Sequence, residues 1–285
     1  MEVKKVGIVG LGVQGQGIAE VSARAGYNVV VTTRSRESLN RGLELIRSSI
    51  ANGVKRNKLT QDDMDISMTR IKGTLSIEDF EDCDILVEVV REIMEEKKEV
   101  LKRYDQVCKP ETIINTGTST LSIVDLATAT NRPDKVIGTH YFWPVPKMKL
   151  VEIVVSIVTS QETFKNTWAF CESIGKSPVR APDSPGFIAN RMFVAYSLEA
   201  MRMLEQGIAT REDIDKAAEL GLNHPMGPLR LHDFAGIEST YYAAVAMYEE
   251  TKDPKFAPPI LLKKMVAANH LGRKTGKGFY DYPKK

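Results

Sequence analysis

The stretch Val6-Gly-Ile-Val-Gly-Leu-Gly-Val-Gln-Gly15 decides the fold of this chain of 285 residues. Its first four residues form the short β-branched run typical of a buried parallel strand, and its last six fit the pattern GxGxxG. Residues 17–25 carry apolar side chains at helical spacing, Gly26 suits a helix end, and residues 27–32 are again rich in β-branched side chains. We therefore predict strand, glycine turn, helix and strand, the βαβ unit of a Rossmann dinucleotide-binding domain.

The glycines of this loop serve different physical purposes. Gly10 permits a tight turn, Gly12 lets the backbone approach a pyrophosphate, and Gly15 allows the helix to pack on the strand. Val13 and Gln14 begin the helix, whose first N–H groups are available to phosphate oxygens. A GxGxxG pattern can also mark a structural turn, but this one follows a strand and opens a helix. We expect these five residues to bind a dinucleotide cofactor.

The rest of the N-terminal part alternates strands with helices. Helices are predicted at 36–58 and 93–107, and further strands follow the same alternation, at 84–88, 112–115, 136–142 and 150–155. Such alternation implies right-handed crossovers and a doubly wound, mostly parallel α/β sheet. We assign residues 1–182 to this dinucleotide-binding domain.

The residue composition of the sequence changes near residue 182. Residues 181–186 read Ala-Pro-Asp-Ser-Pro-Gly, which is turn chemistry, and β-rich runs become scarce beyond them. Four helical patterns follow, at 187–206, 211–220, 237–250 and 260–270. We assign residues 183–285 to an all-helical substrate-binding and dimerisation domain. Lys284 and Lys285 are predicted to be a solvated tail.

Composition excludes several classes of function. The net charge of +2 provides no broad basic field for nucleic acid or a membrane surface. The three cysteines (Cys83, Cys108 and Cys171) show no metal-like spacing and suit a reducing compartment. No window approaches eighteen consecutive apolar residues, and the first residues run into a strand without a signal peptide. We expect a soluble cytoplasmic protein with no metal site.

The end of the second strand favours NADP over NAD. Rossmann domains that bind NAD carry an acidic residue there for the ribose 2′-hydroxyl, but this chain reads Thr32-Thr-Arg-Ser-Arg36. The Thr33 hydroxyl and the guanidinium groups of Arg34 and Arg36 suit a 2′-phosphate. NADP is therefore the expected cofactor, with NAD possible if the two arginines only solvate a loop.

One histidine and one glutamate stand out as catalytic candidates. His140 ends a predicted strand, and Glu152 follows twelve residues later. Oxidation of an alcohol needs a base that takes the hydroxyl proton, and a histidine oriented by a carboxylate serves this purpose. Taken alone, each residue also fits a structural role, His140 in the core and Glu152 at the surface.

Several segments together resemble a known family. Residues 10–15, 118–123, 140–152 and 183–191 are similar to L-3-hydroxyacyl-CoA dehydrogenases, especially the bacterial 3-hydroxybutyryl-CoA type. The resemblance continues through residues 217–233 and 272–280 and spans essentially the whole chain. It implies an acyl-CoA substrate, a nicotinamide cofactor and a homodimer.

The resemblance also implies roles for single residues. His140 matches the catalytic base, Glu152 its partner, and Ser119 and Asn190 match residues that bind the substrate oxygen. The remaining matches are Glu92 and Lys97 near the nicotinamide and coenzyme, Lys274 at the cofactor, and Ser49 and Arg56 at coenzyme A. The basic cluster around Arg56 equally suits a solvated helix face.

The chain departs from the family pattern at three positions. Gly117 and Trp143 stand where asparagines are usual, and Thr33 stands where an acidic residue is usual. Because the indole of Trp143 changes the volume and hydrogen bonding of the acyl site, we count it among the substrate-binding residues. The leading hypothesis is an NADP(H)-dependent dehydrogenase of short-chain 3-hydroxyacyl-CoA. The alternatives are a dehydrogenase of another 3-hydroxy acid or of an acyl-carrier-protein thioester, and a cofactor-binding protein without turnover.

Overall fold

The computed structural model describes residues 1–283 and contains two compact units, Met1–Ser184 and a second that begins at Pro185. The division thus falls just after the predicted boundary at residue 182. Lys284 and Lys285, predicted to be a solvated tail, lie outside the described residues.

The first unit is built on one sheet of eight strands. They are β1 (Lys5–Val9), β2 (Asn28–Thr32), β3 (Ile71–Thr74), β4 (Ile85–Glu88), β5 (Ile113–Thr116), β6 (Val136–Tyr141), β7 (Leu150–Val155) and β8 (Ser177–Pro182). Their order in the sheet is β3-β2-β1-β4-β5-β6-β7-β8. All neighbouring strands are parallel except β6 and β7, which are antiparallel. The predicted doubly wound, mostly parallel Rossmann sheet is confirmed.

The two outermost strands, β3 and β8, were not foreseen from the sequence. Ile71–Thr74 is short and contains Lys72 and Gly73, and Ser177–Pro182 contains two prolines. Such residues are tolerated at a sheet edge, where one side of the strand has no partner to hydrogen-bond. The pattern of a buried strand is therefore missing at both edges.

Six helices cover the faces of this sheet. They are α1 (Val13–Arg24), α2 (Arg36–Lys55), α3 (Gln61–Thr69), α4 (Met94–Asp105), α5 (Ile123–Ala127) and α6 (Gln161–Ser173). Alternate residues of the central strands face opposite sides, so that Ile85 and Val87 join one apolar cluster and Leu86 joins the other. All three side chains are fully buried. The helices pack on the sheet and leave the carboxyl ends of its parallel strands available for a site.

The second unit is helical. It contains α7 (Ala189–Glu205), α8 (Arg211–Gly221), α9 (Pro228–Ala235), α10 (Ile237–Thr251) and α11 (Ile260–Ala267). Its C-terminal segment is fastened by the buried carboxylate of Asp233, which accepts hydrogen bonds from the backbone N–H groups of Phe279 and Tyr280. Among residues 1–283, no helix combines the length and the apolar character that a membrane span requires.

Candidate active site

The glycine loop lies between β1 and α1, as predicted. Gly10 has a φ of +102°, and a Cβ there would lie 2.7 Å from the carbonyl oxygen of Val89. A Cβ on Gly15 would collide with the carbonyl oxygen of Gly10. A Cβ on Gly12, in contrast, would meet no protein atom within 4 Å. The protein's own packing therefore explains glycine at positions 10 and 15, and leaves space at position 12 that suits a ligand.

The positive end of α1 faces the same space. Gly12 is the N-cap of α1 and provides no side-chain cap, and the first turn contains no acidic residue. The first N–H groups of this helix and its dipole therefore favour an anion. Together with the absence of a side chain at Gly12, they fit the pyrophosphate of a dinucleotide.

Hydroxyl and guanidinium groups gather where β2 runs into α2. The Thr33 Oγ1 lies 2.6 Å from the Ser38 Oγ, and the Ser35 hydroxyl caps α2 by accepting from the Ser38 N–H. Arg34 and Arg36, on either side of Ser35, are exposed. This edge of the sheet thus offers hydroxyl donors, two arginines and the N-terminus of a twenty-residue helix.

His140 and Glu152 face each other across the antiparallel pair of strands. They are direct partners in the register of β6 and β7, and directly opposed residues of an antiparallel pair point to the same face. The His140 Nδ1 lies 2.6 Å from the Glu152 Oε2. Because a carboxylate only accepts, the proton of this bond sits on Nδ1, and in the neutral imidazole Nε2 is then the acceptor. Glu152 is fully buried and His140 nearly so.

Ser119 extends this arrangement to three residues. It follows the carboxyl end of β5, and its Oγ lies 3.2 Å from the His140 Nε2. The predicted serine, histidine and glutamate therefore form one hydrogen-bonded series in the first unit. Its outer end, at Ser119, is partly exposed, and its inner end, at Glu152, is buried.

Glu92 holds the loop that carries Ser119. Its Oε1 accepts from the backbone N–H groups of Ser119 (2.7 Å) and Thr120 (3.1 Å) and from the Thr118 hydroxyl (2.5 Å). A role of Glu92 at the cofactor is implied by the family resemblance alone and stays a prediction. The geometry adds a positioning role, because this carboxylate fixes the backbone of Ser119 relative to His140.

A buried ion pair lies behind this loop. The Lys97 ammonium, which is fully buried, donates to the Glu88 Oε1 (2.9 Å) and to the carbonyl oxygen of Gly117 (3.1 Å). Burial raises the pKa of the Glu88 carboxyl, whereas Lys97 and the Thr116 hydroxyl oppose that rise. The pair joins the ends of β4 and β5 beneath residues 117–120. The predicted role of Lys97 at the cofactor stays a prediction.

Gln14 links the glycine loop to the strand that carries His140. Its Nε2 donates to the carbonyl oxygen of Tyr141 at 3.3 Å. A Cβ on Gly117 would lie 3.6 Å from the Gln14 Oε1 and 2.5 Å from a methyl group of Val89. Glycine at 117, where the family usually has asparagine, is therefore matched to its neighbours here.

The aromatic residues after β6 lie at the rim of the site. The Phe142 ring is 4.7 Å from the His140 ring, centroid to centroid. Trp143, which follows it, is 61% exposed. An exposed indole one residue beyond the histidine's ring partner is a surface on which an acyl or ring group can pack.

The remaining predicted residues belong to other elements. Ser49, on α2, and Arg56, its C-cap, are exposed. Asn190 and Lys274 belong to the second unit, where Asn190 lies in the first turn of α7 and Lys274 forms an ion pair with Glu238. Their predicted roles stay predictions.

Comparison with known proteins gives consistent matches for both units. Residues 5–184 match the family described as 3-hydroxyacyl-CoA dehydrogenase, NAD binding domain, and residues 186–282 match its C-terminal domain. The 3-hydroxybutyryl-CoA dehydrogenase of Clostridioides difficile is 40% identical over 280 residues, covering 98% of this chain and 100% of that one. The mitochondrial hydroxyacyl-coenzyme A dehydrogenase of Sus scrofa is 38% identical over 287 residues, covering 98% and 91%.

A solved structure agrees with these matches. The (S)-3-hydroxybutyryl-CoA dehydrogenase of Ralstonia eutropha aligns with a TM-score of 0.97 and 40% identity, covering 99% of this chain and 100% of that chain. The fold and both matched domains define a nicotinamide-dependent oxidoreductase. The chain belongs to the 3-hydroxyacyl-CoA dehydrogenase family, and the predicted resemblance is confirmed.

The contacts of Glu92 lead to a first prediction. We expect Glu92→Ala to lower kcat about 10- to 100-fold at saturating cofactor, because a small displacement of Ser119 misaligns it with His140. Glu92→Gln keeps an oxygen acceptor for the two backbone N–H groups and should restore most of the rate. Steady-state kinetics and cofactor titrations on both variants provide the measurement. An Ala variant with weaker cofactor binding and unchanged kcat would instead support a cofactor contact as the main role.

Proposed function

We propose that this protein interconverts the 3-hydroxy and 3-keto forms of a short-chain acyl-CoA with NADP(H) as cofactor. The observation that supports this most directly is the series Ser119–His140–Glu152, with distances of 3.2 and 2.6 Å. The names of the relatives, 3-hydroxybutyryl-CoA dehydrogenase, support the substrate class.

In the oxidative direction His140 acts as the general base. Its Nε2 accepts the proton of the substrate's 3-hydroxyl. A nicotinamide cofactor, when bound, would supply the acceptor for the hydride that leaves carbon 3. The imidazolium that results is stabilised by the buried carboxylate of Glu152 through Nδ1–H. In the reductive direction the same Nε2 returns the proton to the oxygen of the 3-keto group.

Ser119 steadies the reacting oxygen. Its hydroxyl, within hydrogen-bond distance of Nε2, is placed to donate to an oxygen that binds between the two residues. The family resemblance adds the Asn190 amide as a second donor to this oxygen. Since charge grows on the oxygen in the transition state, fixed donors lower the barrier more than they strengthen binding of the ground state.

Preference for NADP rests on the end of β2. A guanidinium hydrogen bond to a phosphate contributes about 1.5–3 kcal/mol, and about 1.4 kcal/mol corresponds to tenfold in affinity. One or two contacts from Arg34 and Arg36 would therefore favour NADPH over NADH by about one to three decades. The hydroxyl of Thr33, where an acid would repel a 2′-phosphate, supports the same choice.

The coenzyme A moiety is assigned to α2. Ser49 and Arg56 lie on its exposed side, and Lys55, Arg56 and Lys58 form a local basic cluster. Ammonium and guanidinium groups bind the phosphates of coenzyme A as point charges and bidentate donors, respectively. This cluster supports a phosphorylated carrier even though the protein's net charge is only +2.

We also propose that the protein forms a homodimer through the second unit. We propose the cytoplasm as its location. The apolar sequence faces at 187–203 and 241–247 carry the exposed side chains of Met192 and Tyr242. Exposed apolar groups of this kind mark interaction surfaces when they cluster.

Trp143 supports a second candidate substrate class. Its exposed indole stands where the family usually has asparagine, so the acyl site differs in volume and polarity. A different 3-hydroxy acid, or the same acyl group on acyl-carrier protein, is the alternative substrate.

The proposal is tested by acetoacetyl-CoA-dependent oxidation of NADPH and NADH measured side by side. We expect turnover with both cofactors and a kcat/KM at least about tenfold higher with NADPH. Turnover only with a free 3-keto acid or an acyl-carrier-protein thioester would favour the alternative substrate. Cofactor binding without any turnover would contradict an enzymatic role.

A further inference from the structure

Two arginines from different parts of the sheet share one carboxylate near the glycine loop. Arg91, in the loop after β4, donates from Nε to the Glu96 Oε2 at 2.8 Å and holds it through Nη2 at 2.6 Å. Arg34, which follows β2, places its Nη1 3.8 Å from the Glu96 Oε1. The fold thus places both guanidinium groups around a single anion.

This anion lies beside the proposed cofactor site. The strands β2 and β4 are the two neighbours of β1, whose carboxyl end carries the glycine loop. The loop after β4 touches that glycine loop, since a Cβ on Gly10 would contact the Val89 carbonyl oxygen. In a Rossmann domain the adenosine ribose lies at the end of β2, within reach of Arg34.

Glu96 carries a negative charge at neutral pH. It belongs to the first turn of α4, where the helix dipole favours an anion. The hydrogen bond and charge of Arg91, with a smaller contribution from Arg34, hold the pKa of this carboxyl below its usual range. Arg91 binds it through two nitrogens, whereas the contact of Arg34 is long and the Arg34 side chain is 76% exposed. Arg34 can therefore leave Glu96 at little cost.

We propose that Arg91 is a second residue that selects the 2′-phosphate of the cofactor, and that Glu96 is the internal anion that this phosphate displaces from Arg34. The inference rests on the proposed use of NADP. With NADPH bound, Arg34 turns from the carboxylate to the phosphate, and Arg91 lies between the two anions and neutralises both. With NADH there is no second anion, and Arg34 keeps its pairing with Glu96.

Charge alone predicts opposite effects for the two residues. Arg91→Ala removes a cation and leaves Glu96 uncompensated, so the Kd for NADPH should rise about tenfold. Glu96→Gln removes the competing anion, so the Kd for NADPH should fall about three- to tenfold. Neither change should alter the Kd for NADH more than about twofold. Lys102→Ala, which removes an exposed cation from the far end of α4, is the matched control and should change neither constant.

The decisive comparison is the double variant Arg91→Ala/Glu96→Gln. If Arg91 contacts the phosphate, it should bind NADPH about tenfold more weakly than Glu96→Gln alone. If Arg91 only neutralises Glu96, the two should bind NADPH equally, and the inference is wrong. Binding of adenosine 2′,5′-bisphosphate and 5′-AMP, which requires no turnover, should reproduce the pattern for the bisphosphate only.

Further outcomes distinguish a failure of the proposed role of Arg91 and Glu96 from a failure of the proposed NADP specificity. If Glu96→Gln instead weakens the binding of NADH, Glu96 itself binds the ribose hydroxyls, and the inference is overturned. If the wild type binds NADPH more tightly and Arg34→Ala removes the preference while Arg91→Ala does not, only the role of Arg91 fails. If the wild type prefers NADH, the proposed NADP specificity fails and this inference fails with it.

Discussion

His140→Gln is expected to lower kcat about 100- to 10,000-fold while cofactor affinity stays within about twofold. Glutamine keeps a polar side chain of similar size but cannot take up a proton at the position of Nε2. It also loses the hydrogen bond of 2.6 Å through which the buried Glu152 would stabilise an imidazolium. The loss should therefore fall on the chemical step, measured as kcat in both directions at saturating substrate and cofactor.

A matched substitution controls for the change itself. His270→Gln makes the same replacement in the second unit, at a residue with no role in the proposed chemistry, and should retain the full rate. Both variants should show the circular dichroism spectrum and Tm of the parent within a few degrees. A His140→Gln enzyme that works at the parent rate would refute the assignment of this histidine as the base.

The second large effect concerns the cofactor. The double variant Arg34→Ala/Arg36→Ala should raise the Kd for NADPH by about one to three decades and change the Kd for NADH less than about twofold. The reason is that the guanidinium groups at the end of β2 meet a phosphate in one cofactor and a hydroxyl in the other. Fluorescence titration of each cofactor measures both constants. Because exposed charges are screened, the difference should shrink as ionic strength rises.

Two other arginines, which lie on α2, provide the control. Arg41 and Arg47 are exposed on α2, so Arg41→Ala/Arg47→Ala makes the same change in net charge away from the strand end. It should leave the NADPH-to-NADH ratio unaltered. Equal losses in the two double variants would indicate a general field effect, and no loss in either would refute the 2′-phosphate site.

Local features were predictable where neighbouring residues decide the structure. The glycine loop, the strand that precedes Ser119 and the strand that carries His140 follow from patterns only a few residues long. The edge strand Ser177–Pro182 was missed because its two prolines are not typical of a strand. Its pairing with β7 depends on contacts across the sheet, which no local pattern contains.

In the site, too, local patterns predicted some features, whereas others depend on contacts across the sheet. The spacing of His140 and Glu152 suggested a pair, but only the antiparallel register explains why twelve residues bring them face to face. The residues along β2 give no sign of Glu96, because that carboxylate reaches Arg34 from α4. Likewise, the contacts of Glu92 with residues 118–120 join the loops after two different strands, and only the sheet order brings these loops together.

The antiparallel pairing of β6 and β7 is enough to bring His140 and Glu152, the proposed base and its carboxylate, together. Both come from one continuous hairpin, and their alignment is set by strand register rather than by the loop that joins the strands. That loop, which carries Trp143, therefore does not set the distance between the two groups. Ser119 comes from a different part of the sheet, the loop after β5. A change of the exposed Trp143 side chain can thus alter the proposed acyl site without moving the proposed proton-transfer pair.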